Sequence, residues 1–504
     1  MLRQLWFCFL FLFSFVSLYA ENIVEVKIFQ TTDIHGMVTH DHVKGGAWLQ
    51  LSSMIQKYRT QYPESLLIDC GDTIQGSYIA SLTKGEVSIV GLQYLNYDVW
   101  VPGNHEFDFG LQRFLDLSQK IQTKALCGNL YQNNKLLFRP WKVFNRKGAK
   151  IVVIGATASY MKYWFADVFS KDCQVELAID TLRRVMPPIL ALHPDMIIFA
   201  AHQGWMYQSS DRMVNEIKQI ATEFPEIDLI LGGHTHQDHA GQKIGSGVWY
   251  VQAGFGARNM AIITAEIDLE KHAVKKITSK LDFVEKDTPI DPGFQKAISV
   301  YSDITNHHSV LKFSPPLPCD ILNTGTPGID NAASELFCRA IAKSVDADVV
   351  FHGTLSKKYF SRGQVVRGID LFGFVPYENT IVTAQLTNEE ITTIATEQWQ
   401  KRKQYTYSGI YGAKMRVLKK GKKEFLRAIR IADHLATPEN PKRYKVAMND
   451  FMASGSGRYP LLRAILDRKT SQTINTQIST RKSVQDYLSS KNFTFPPPTV
   501  WIIK

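Results

Sequence analysis

The sequence holds only six cysteines in 504 residues, and their spacing matches no cysteine-based metal motif. It has no internal repeat and no low-complexity tract, so it shows neither a repeat array nor a disordered, biased segment. Beyond the first 20 residues no apolar run approaches the roughly 20 residues that a membrane-spanning helix needs. The tail Phe495–Lys504 is too short for a lipid-anchor signal. No Lys/Arg block is interleaved with aromatics, so a nucleic-acid polymer is not indicated as a partner. Acidic residues are outnumbered, 47 against 58 Lys and Arg, for a net charge of +11. That balance fits a solvated basic surface, or attraction for anions such as phosphate esters or an anionic surface.

What is present is globular. Hydrophobic residues make up 45% and charged residues 21%, the range of folded domains. A chain this long exceeds one hydrophobic core, so two or more domains are expected. Residues 1–20 read as a signal peptide: Arg3, an apolar run from Leu5 to Leu18, then Tyr19-Ala20 before Glu21. Its removal implies an exported protein, periplasmic or extracellular, with no transmembrane anchor left. Five cysteines then remain, Cys70, Cys127, Cys173, Cys319 and Cys338. They read as buried small residues, or as a disulfide or two with at least one thiol unpaired.

Strand and helix patterns alternate through the first half. Asn22–Gln30, Ser65–Asp69, Asp98–Val101, Ala149–Ala156, Asp195–Ala201, Ile227–Leu231, Val248–Val251 and Ala261–Leu269 read as strands. Trp48–Tyr58, Glu86–Leu95, Val175–Leu192 and Arg212–Thr222 read as helices. Polar residues follow the strands directly: Asp33 and His35, Asp72, Asn104, His202, then His234 and His236. Open α/β sheets place their sites at the carboxyl ends of strands. Mixed oxygen and imidazole donors suit zinc, manganese, iron or cobalt rather than magnesium or calcium. Seven ligands exceed the need of one ion, and Asp72 is the natural bridge between two. In Asn104-His105-Glu106-Phe107-Asp108, the Asp108 carboxylate can hold one nitrogen of His105, freeing the other for a reacting group. His40, His42, His193 and His239 read as loop, surface or helix-end residues.

Asp33-x-His35, Gly71-Asp72, Gly103-Asn104-His105-Glu106, His202 and Gly232-Gly233-His234-Thr235-His236 resemble the binuclear metallophosphoesterase signature. The longer forms, Gly71-Asp72-Thr73-x-x-Gly76-Ser77 and Asn104-His105-Glu106-Phe107-Asp108-x-Gly110, resemble the secreted 5′-nucleotidase, UDP-sugar hydrolase and cyclic-nucleotide phosphodiesterase family. The resemblance implies an α/β chain: a four-layer α/β/β/α metal domain (21–286), a linker with a connecting helix (287–318) and a smaller α/β substrate domain (319–504). It implies two divalent metal ions, one on Asp33, His35, Asp72 and His236, the other on Asp72, Asn104, His202 and His234. His105, oriented by Asp108, becomes the transition-state stabiliser or acid. The implied activity is phosphoester hydrolysis of a small nucleotide. Cyclic-nucleotide or UDP-sugar hydrolysis is the alternative within enzymes, and a non-catalytic nucleotide-binding or adhesion protein the alternative outside them.

In the second half Asn331–Val345 reads as a helix, Ala347–His352, Ile381–Leu386 and Tyr444–Met448 as strands, and Thr387–Glu390 as a capping box opening a helix to Trp399. Phe294–Thr305 reads as the connecting helix. The family stacks a base between two aromatics of this half. Phe451 matches one; Tyr405 or Tyr407 would supply the other. Two departures stand out. Gly455-Ser456-Gly457-Arg458 lacks the family's ribose-binding Asp, which leaves Arg458 as a candidate for an anionic group. His352-Gly353-Thr354-Leu355 lacks the family's phosphate-gripping Arg, although Lys357, Lys358 and Arg362 follow.

Overall fold

The computed structural model describes residues 22–39, 47–121, 124–161, 169, 173–205, 212–404, 406–432, 434–436, 442–455, 459–490 and 493–503. Residues 1–20, expected above as a signal peptide, and His40, His42, Tyr405 and Arg458 lie outside the described residues.

In the first half, strand periodicity builds a sandwich. Within Ile23–Thr31, Val26 and Ile28 face one core and Phe29 faces another. Leu66 and Ile68 likewise separate from Leu67, and Ile151 and Val153 from Val152 and Ile154. Successive side chains of a strand point to opposite faces, so strands buried on both faces read as continuous apolar runs. Five strands form one sheet in the order Ala273–Phe283, Asn259–Asp268, Ile23–Thr31, Leu66–Asp69 and Val99–Trp100. Six form the second: Asp238–Ile244, Val248–Ala253, Leu229–Leu231, Met196–Ala201, Ala149–Ala156 and Trp141–Arg146. The inner core joins the sheets through Ile28, Ile68, Val153, Ile198 and Val251. Helices Trp48–Gln61, Glu86–Tyr94 and Leu111–Gln119 cover the outside of the first sheet. Ala178–Leu190 and Arg212–Glu223 cover the second. The result is the four-layer α/β/β/α arrangement. Ile23–Thr31, Leu66–Asp69 and Val99–Trp100 run parallel, as do Ala149–Ala156, Met196–Ala201 and Leu229–Leu231, so their carboxyl ends form common rims.

The second half is built around its own sheet, in the order Gly409–Tyr411, Val349–His352, Arg443–Asn449, Thr380–Thr387 and Ile474–Ser479. A smaller sheet pairs Ala413–Lys420 with Lys423–Ile431, flanked by His434–Leu435 and Ile502–Ile503. The capping box forms: the Thr387 hydroxyl accepts from the Glu390 N–H and the Glu390 carboxylate accepts from the Thr387 N–H. The short helix Tyr78–Leu82 joins the halves. The Ser81 hydroxyl and the Arg481 guanidinium both meet Glu378 Oε1 at 2.6 Å, and the Tyr78 ring lies 5.3 Å from that of Phe372.

Two expectations change, and one open alternative closes. The region expected as one helix from Phe294 to Thr305 is two, Pro292–Ala297 and Ser299–Ser309. Phe294 and Ile298 are drawn into the first core, whereas the second helix buries none of its residues, and the chain turns at Ile298. The start of the expected helix Val175–Leu192 is a strand, Cys173–Val175, paired with Leu130–Gln132. The five described cysteines are free thiols, four of them buried. They act as small core residues and no disulfide forms.

Phe294 lies edge-on to Trp48 at 5.5 Å and stacked on Tyr94 at 5.4 Å, and so fastens helix Pro292–Ala297 to the first core. Phe294→Ala is expected to lower stability by about 3–5 kcal/mol in urea unfolding. Val300→Ala, at a side chain 56% exposed on the next helix, should change it by under about 0.5 kcal/mol.

Candidate metal centre

The rims formed by the strand ends carry all seven candidate ligands. Asp33, His35, Asp72, His234 and His236 have positive φ, from 51° to 71°, a region that costs side-chain-bearing residues about 1–3 kcal/mol each and persists only where surroundings enforce it. Neighbouring strand ends do so here. The Asp33 N–H donates to the Gly71 carbonyl and the His35 N–H to the Asp72 carbonyl, both at 2.8 Å, and the Gly233 N–H to that of Gln203 at 3.0 Å. Gly103 is packed so closely that a Cβ there would strike the Asp72 carboxylate and lie 2.8 Å from the His202 ring.

Six of the seven candidates fall into two groups that could each hold an ion: Asp33, His35 and His236, and Asp72, His202 and His234. In the first, the His35 Nδ1–H is committed to the Gln75 carbonyl at 2.9 Å. Its Nε2 then points a lone pair at His236 Nε2, 3.0 Å away, and His236 Nε2 is 3.3 Å from Asp33 Oδ1. In the second, the His202 Nδ1–H is committed to the Cys70 carbonyl at 2.6 Å. Its Nε2 faces Asp72 Oδ2 at 3.0 Å and Asn104 Oδ1 at 3.2 Å. His234 Nδ1 meets the same amide oxygen at 2.8 Å. At the first point the His35 lone pair faces further acceptors, and at the second Asp72 and Asn104 oxygens face a His202 nitrogen whose proton a cation would displace. The donor set therefore fits two divalent ions, with imidazole nitrogens fixed from behind by backbone carbonyls.

Electrostatics fit ligation at His35 and His234; at His202 burial lowers the ring but Asp72 outweighs it and raises the ring to about 9, so without cations it is protonated toward Asp72. Burial and the neighbouring His236 push the His35 ring down to about 4; burial and His202 do the same to His234. Both rings are therefore neutral near pH 7, as ligation requires. Burial lifts Asp72, but the His202 and His105 rings more than reverse this and hold it well below the usual carboxylate range.

Sequence reading gave Glu106 no role, though it belongs to the Asn-His-Glu motif. It is fully buried. Its carboxylate accepts from the backbone N–H groups of Gly103, Asp72, Thr73 and Ile74, at 2.5, 2.9, 2.7 and 3.2 Å. It fixes the Asp72 loop and the Asn104 loop against each other. The Phe255 ring, stacked 4.8 Å from His236 at 15°, was likewise missed, and only its flanking Gly254 and Gly256 hinted at a special turn.

His105 Nδ1 lies 2.9 Å from Asp108 Oδ2, and the His105 backbone N–H donates to Asp72 Oδ1 at 2.7 Å. Burial lowers the ring's basicity, but Asp108 and Asp72 outweigh it and raise the ring to about 10. Bound cations would pull it back down. Glu378, from the second half, adds to the negative field at Asp108.

The substrate-side residues divide. Phe451 is 42% exposed at the start of the short helix Asp450–Ala453; it is not core. Its neighbour Asp450 accepts from the Asn379 amide at 2.7 Å, one residue from Glu378 at the junction of the halves. Tyr407 is corrected: it is 5% exposed, within the second half's core, and offers no ring face to a base. His352 is buried and stacked on Phe337 at 4.5 Å, and Lys357, Lys358 and Arg362 are exposed. His193 lies past its helix end, and His239 bonds the Trp205 carbonyl.

Glu106→Gln would set an amide N–H2 against backbone donors. It is expected to lower stability by about 1.5–3 kcal/mol and to reduce metal content, read by thermal unfolding and elemental analysis. A second expectation concerns chelator-treated protein. With its folded value raised from 6.5 to about 10, the His105 ring stays protonated through neutral pH. Its attraction to Asp108 and Asp72 then stabilises the fold fully below about 6.5 and fades as pH rises toward 10. Imidazole NMR should show this titration, and Asp108→Asn should move it toward 6.5.

Residues 26–238 match the family described as calcineurin-like phosphoesterase, and residues 324–464 match the 5′-nucleotidase, C-terminal domain. The trifunctional nucleotide phosphoesterase protein YfkN of Bacillus subtilis is 31% identical over 245 residues, 42% of this chain and 17% of that protein. The 2′,3′-cyclic-nucleotide 2′-phosphodiesterase/3′-nucleotidase of Salmonella typhimurium is 29% identical over 238 residues, 42% of this chain and 37% of that protein. The chain thus spans less than half the length of these curated relatives. Among solved structures, a proposed 5′-nucleotidase from Staphylococcus aureus has a TM-score of 0.79 at 19% identity, covering 95% of this chain and 100% of that one. The 5′-nucleotidase precursor from Thermus thermophilus has a TM-score of 0.71 at 17% identity, covering 95% and 99%. At these identities the structures speak for the fold alone. The two family matches, falling on the half with the candidate ligands and on the half that carries Phe451, show that the chain joins a calcineurin-like phosphoesterase domain to a 5′-nucleotidase C-terminal domain.

Proposed function

We propose that the chain is an exported, divalent-metal-dependent phosphoesterase that hydrolyses nucleotides between its two halves. The observation that carries this reading is the convergence of imidazoles, carboxylates and one amide oxygen at two adjacent points on the sheet rims. Asp33, His35, Asp72 and His236 would hold one ion, and Asp72, Asn104, His202 and His234 the other. Two such ions, when bound, supply Lewis-acid charge for the phosphoryl group and an activated water. Oxygen and imidazole donors favour zinc or manganese.

The chain's own groups do the rest. Asp108 holds the His105 Nδ1–H, so the ring offers its Nε2–H to a phosphoryl oxygen or to the leaving group. Phe451 gives an exposed aromatic face, and stacking a base on it is worth about 1–3 kcal/mol. Arg458 stays a sequence-based assignment for an anionic group. In this reading 21–286 is the metal domain, 287–318 the linker and 319–504 the substrate domain, with 1–20 removed on export. Nucleoside 5′-monophosphates are the first substrates to test. The Salmonella relative's name favours 2′,3′-cyclic nucleotides as the second reading.

The test is turnover of 5′-monophosphates, 2′,3′-cyclic nucleotides, UDP-sugars and a baseless phosphomonoester with manganese or zinc. Chelator should abolish turnover. His105→Ala should lower kcat about 10²–10⁴-fold with both ions retained. Phe451→Ala should raise KM about tenfold for a nucleotide and leave the baseless ester nearly unchanged. Nucleotide binding without turnover of any of these would establish the non-catalytic alternative instead.

A further inference from the structure

The hairpin formed by Ala413–Lys420 and Lys423–Ile431 has two unlike faces. Met415, Leu426, Ala428 and Ile431 point inward and belong to the second half's core. The outward face carries Arg416 opposite Arg427 and Lys420 opposite Lys423, with Leu418 opposite Phe425 between them. The four cations are exposed. Leu418 is 41% exposed, and Phe425 is half-buried. Between positions 414 and 430 eight residues are Lys or Arg and one, Glu424, is acidic. Glu424 is engaged elsewhere, 2.9 Å from Arg402 and 4.0 Å from Lys419. Among the described residues no ion pair is recorded for Arg416, Lys420, Lys423 or Arg427.

Like charges directly opposite on neighbouring strands destabilise a sheet, and nothing in the core requires these four. Two such pairs with an apolar pair between them form a surface that is electrostatically unfavourable until an anion meets it. We propose that this outward face docks the protein on an anionic lipid bilayer. Head-group phosphates would meet the two cation pairs, and Leu418 would enter the interfacial region between them, the combination of basic and apolar side chains that peripheral membrane surfaces use. The long stems of Lys420 and Lys423 let their ammonium groups reach the phosphates while the hairpin lies flat. A nucleic-acid strand fits less well, because base stacking needs exposed aromatic faces and this stretch offers only half-buried Phe425. A folded acidic partner fits less well too, because protein interfaces depend on clustered aromatic anchors. This inference does not depend on the phosphoesterase reading.

The test is cosedimentation of the full-length protein with vesicles of phosphatidylcholine alone or mixed with phosphatidylglycerol. Binding is expected only to the mixed vesicles, and should vanish in salt of about 1 M, where the Debye length is about 3 Å. Lys420→Glu with Lys423→Glu should weaken it at least about tenfold without lowering the melting temperature or the turnover of a soluble phosphoester. If that reversal unfolds the hairpin, Lys420→Gln with Lys423→Gln carries the same comparison. The apolar segment 1–20 is common to all forms, so it cannot produce a difference between them. Absent binding to mixed vesicles, equal binding by the variants, or tighter capture by double-stranded DNA than by vesicles would each overturn the proposal.

Discussion

The structure depends most on the crowding of hydrogen-bond acceptors where the strands of the two sheets end. His35 and His202 each spend one ring nitrogen on a backbone carbonyl, which aims the other nitrogen at acceptor groups. Five residues hold positive φ to make this possible, and the two sheets must keep their rims in register for the groups to meet. Such an arrangement is unfavourable as a hydrogen-bonded core and favourable as a cage for cations. Strain at these turns is balanced by the four-layer packing, in which apolar strands buried on both faces leave little freedom at their ends.

Glu106 shows how that arrangement is held. A carboxylate buried among backbone N–H groups would ordinarily be costly. Burial and the nearby Asp72 raise it to about 7, against which four backbone donors favour the charged form. The same side chain ties the Asp72 loop to the Asn104 loop, so one residue outside the candidate ligand set fixes the separation of two candidates. His105 sits beside it in sequence and turns the other way, toward Asp108, so consecutive residues face a cluster of backbone N–H groups and a carboxylate.

The two halves meet near this centre rather than at a remote seam. Ser81 follows the Asp72 loop by a few residues, and it shares Glu378 with Arg481 from the far end of the chain. Glu378 is felt at Asp108, so the second half contributes to the field around His105 as well as presenting Phe451. With no disulfide among the described cysteines, the junction rests on this polar cluster and on the packing of Tyr78, Phe372 and His308.

The sequence by itself determined the order and nature of the core strands and the identity of the polar residues that follow them. Alternating or continuous apolar runs such as Ala149–Ala156 and Met196–Ala201 carry their burial in their composition, and Asp33, Asp72, Asn104, His202 and His234 stand directly past such runs. A strand whose side chains are mostly solvated was not legible: Ala273–Phe283 has charge where a core strand has Val or Ile, and pairing with Asn259–Asp268, not burial, makes it a strand. Tertiary structure alone decided which acceptors face one another, because His35 and His236 lie 201 positions apart and meet at 3.0 Å. It also decided that Tyr407 is core while Phe451 is exposed, since an aromatic reads the same in either place until packing assigns its face. The role of Glu106 was hidden for the same reason: its partners are backbone N–H groups, which every sequence contains and only a fold can gather.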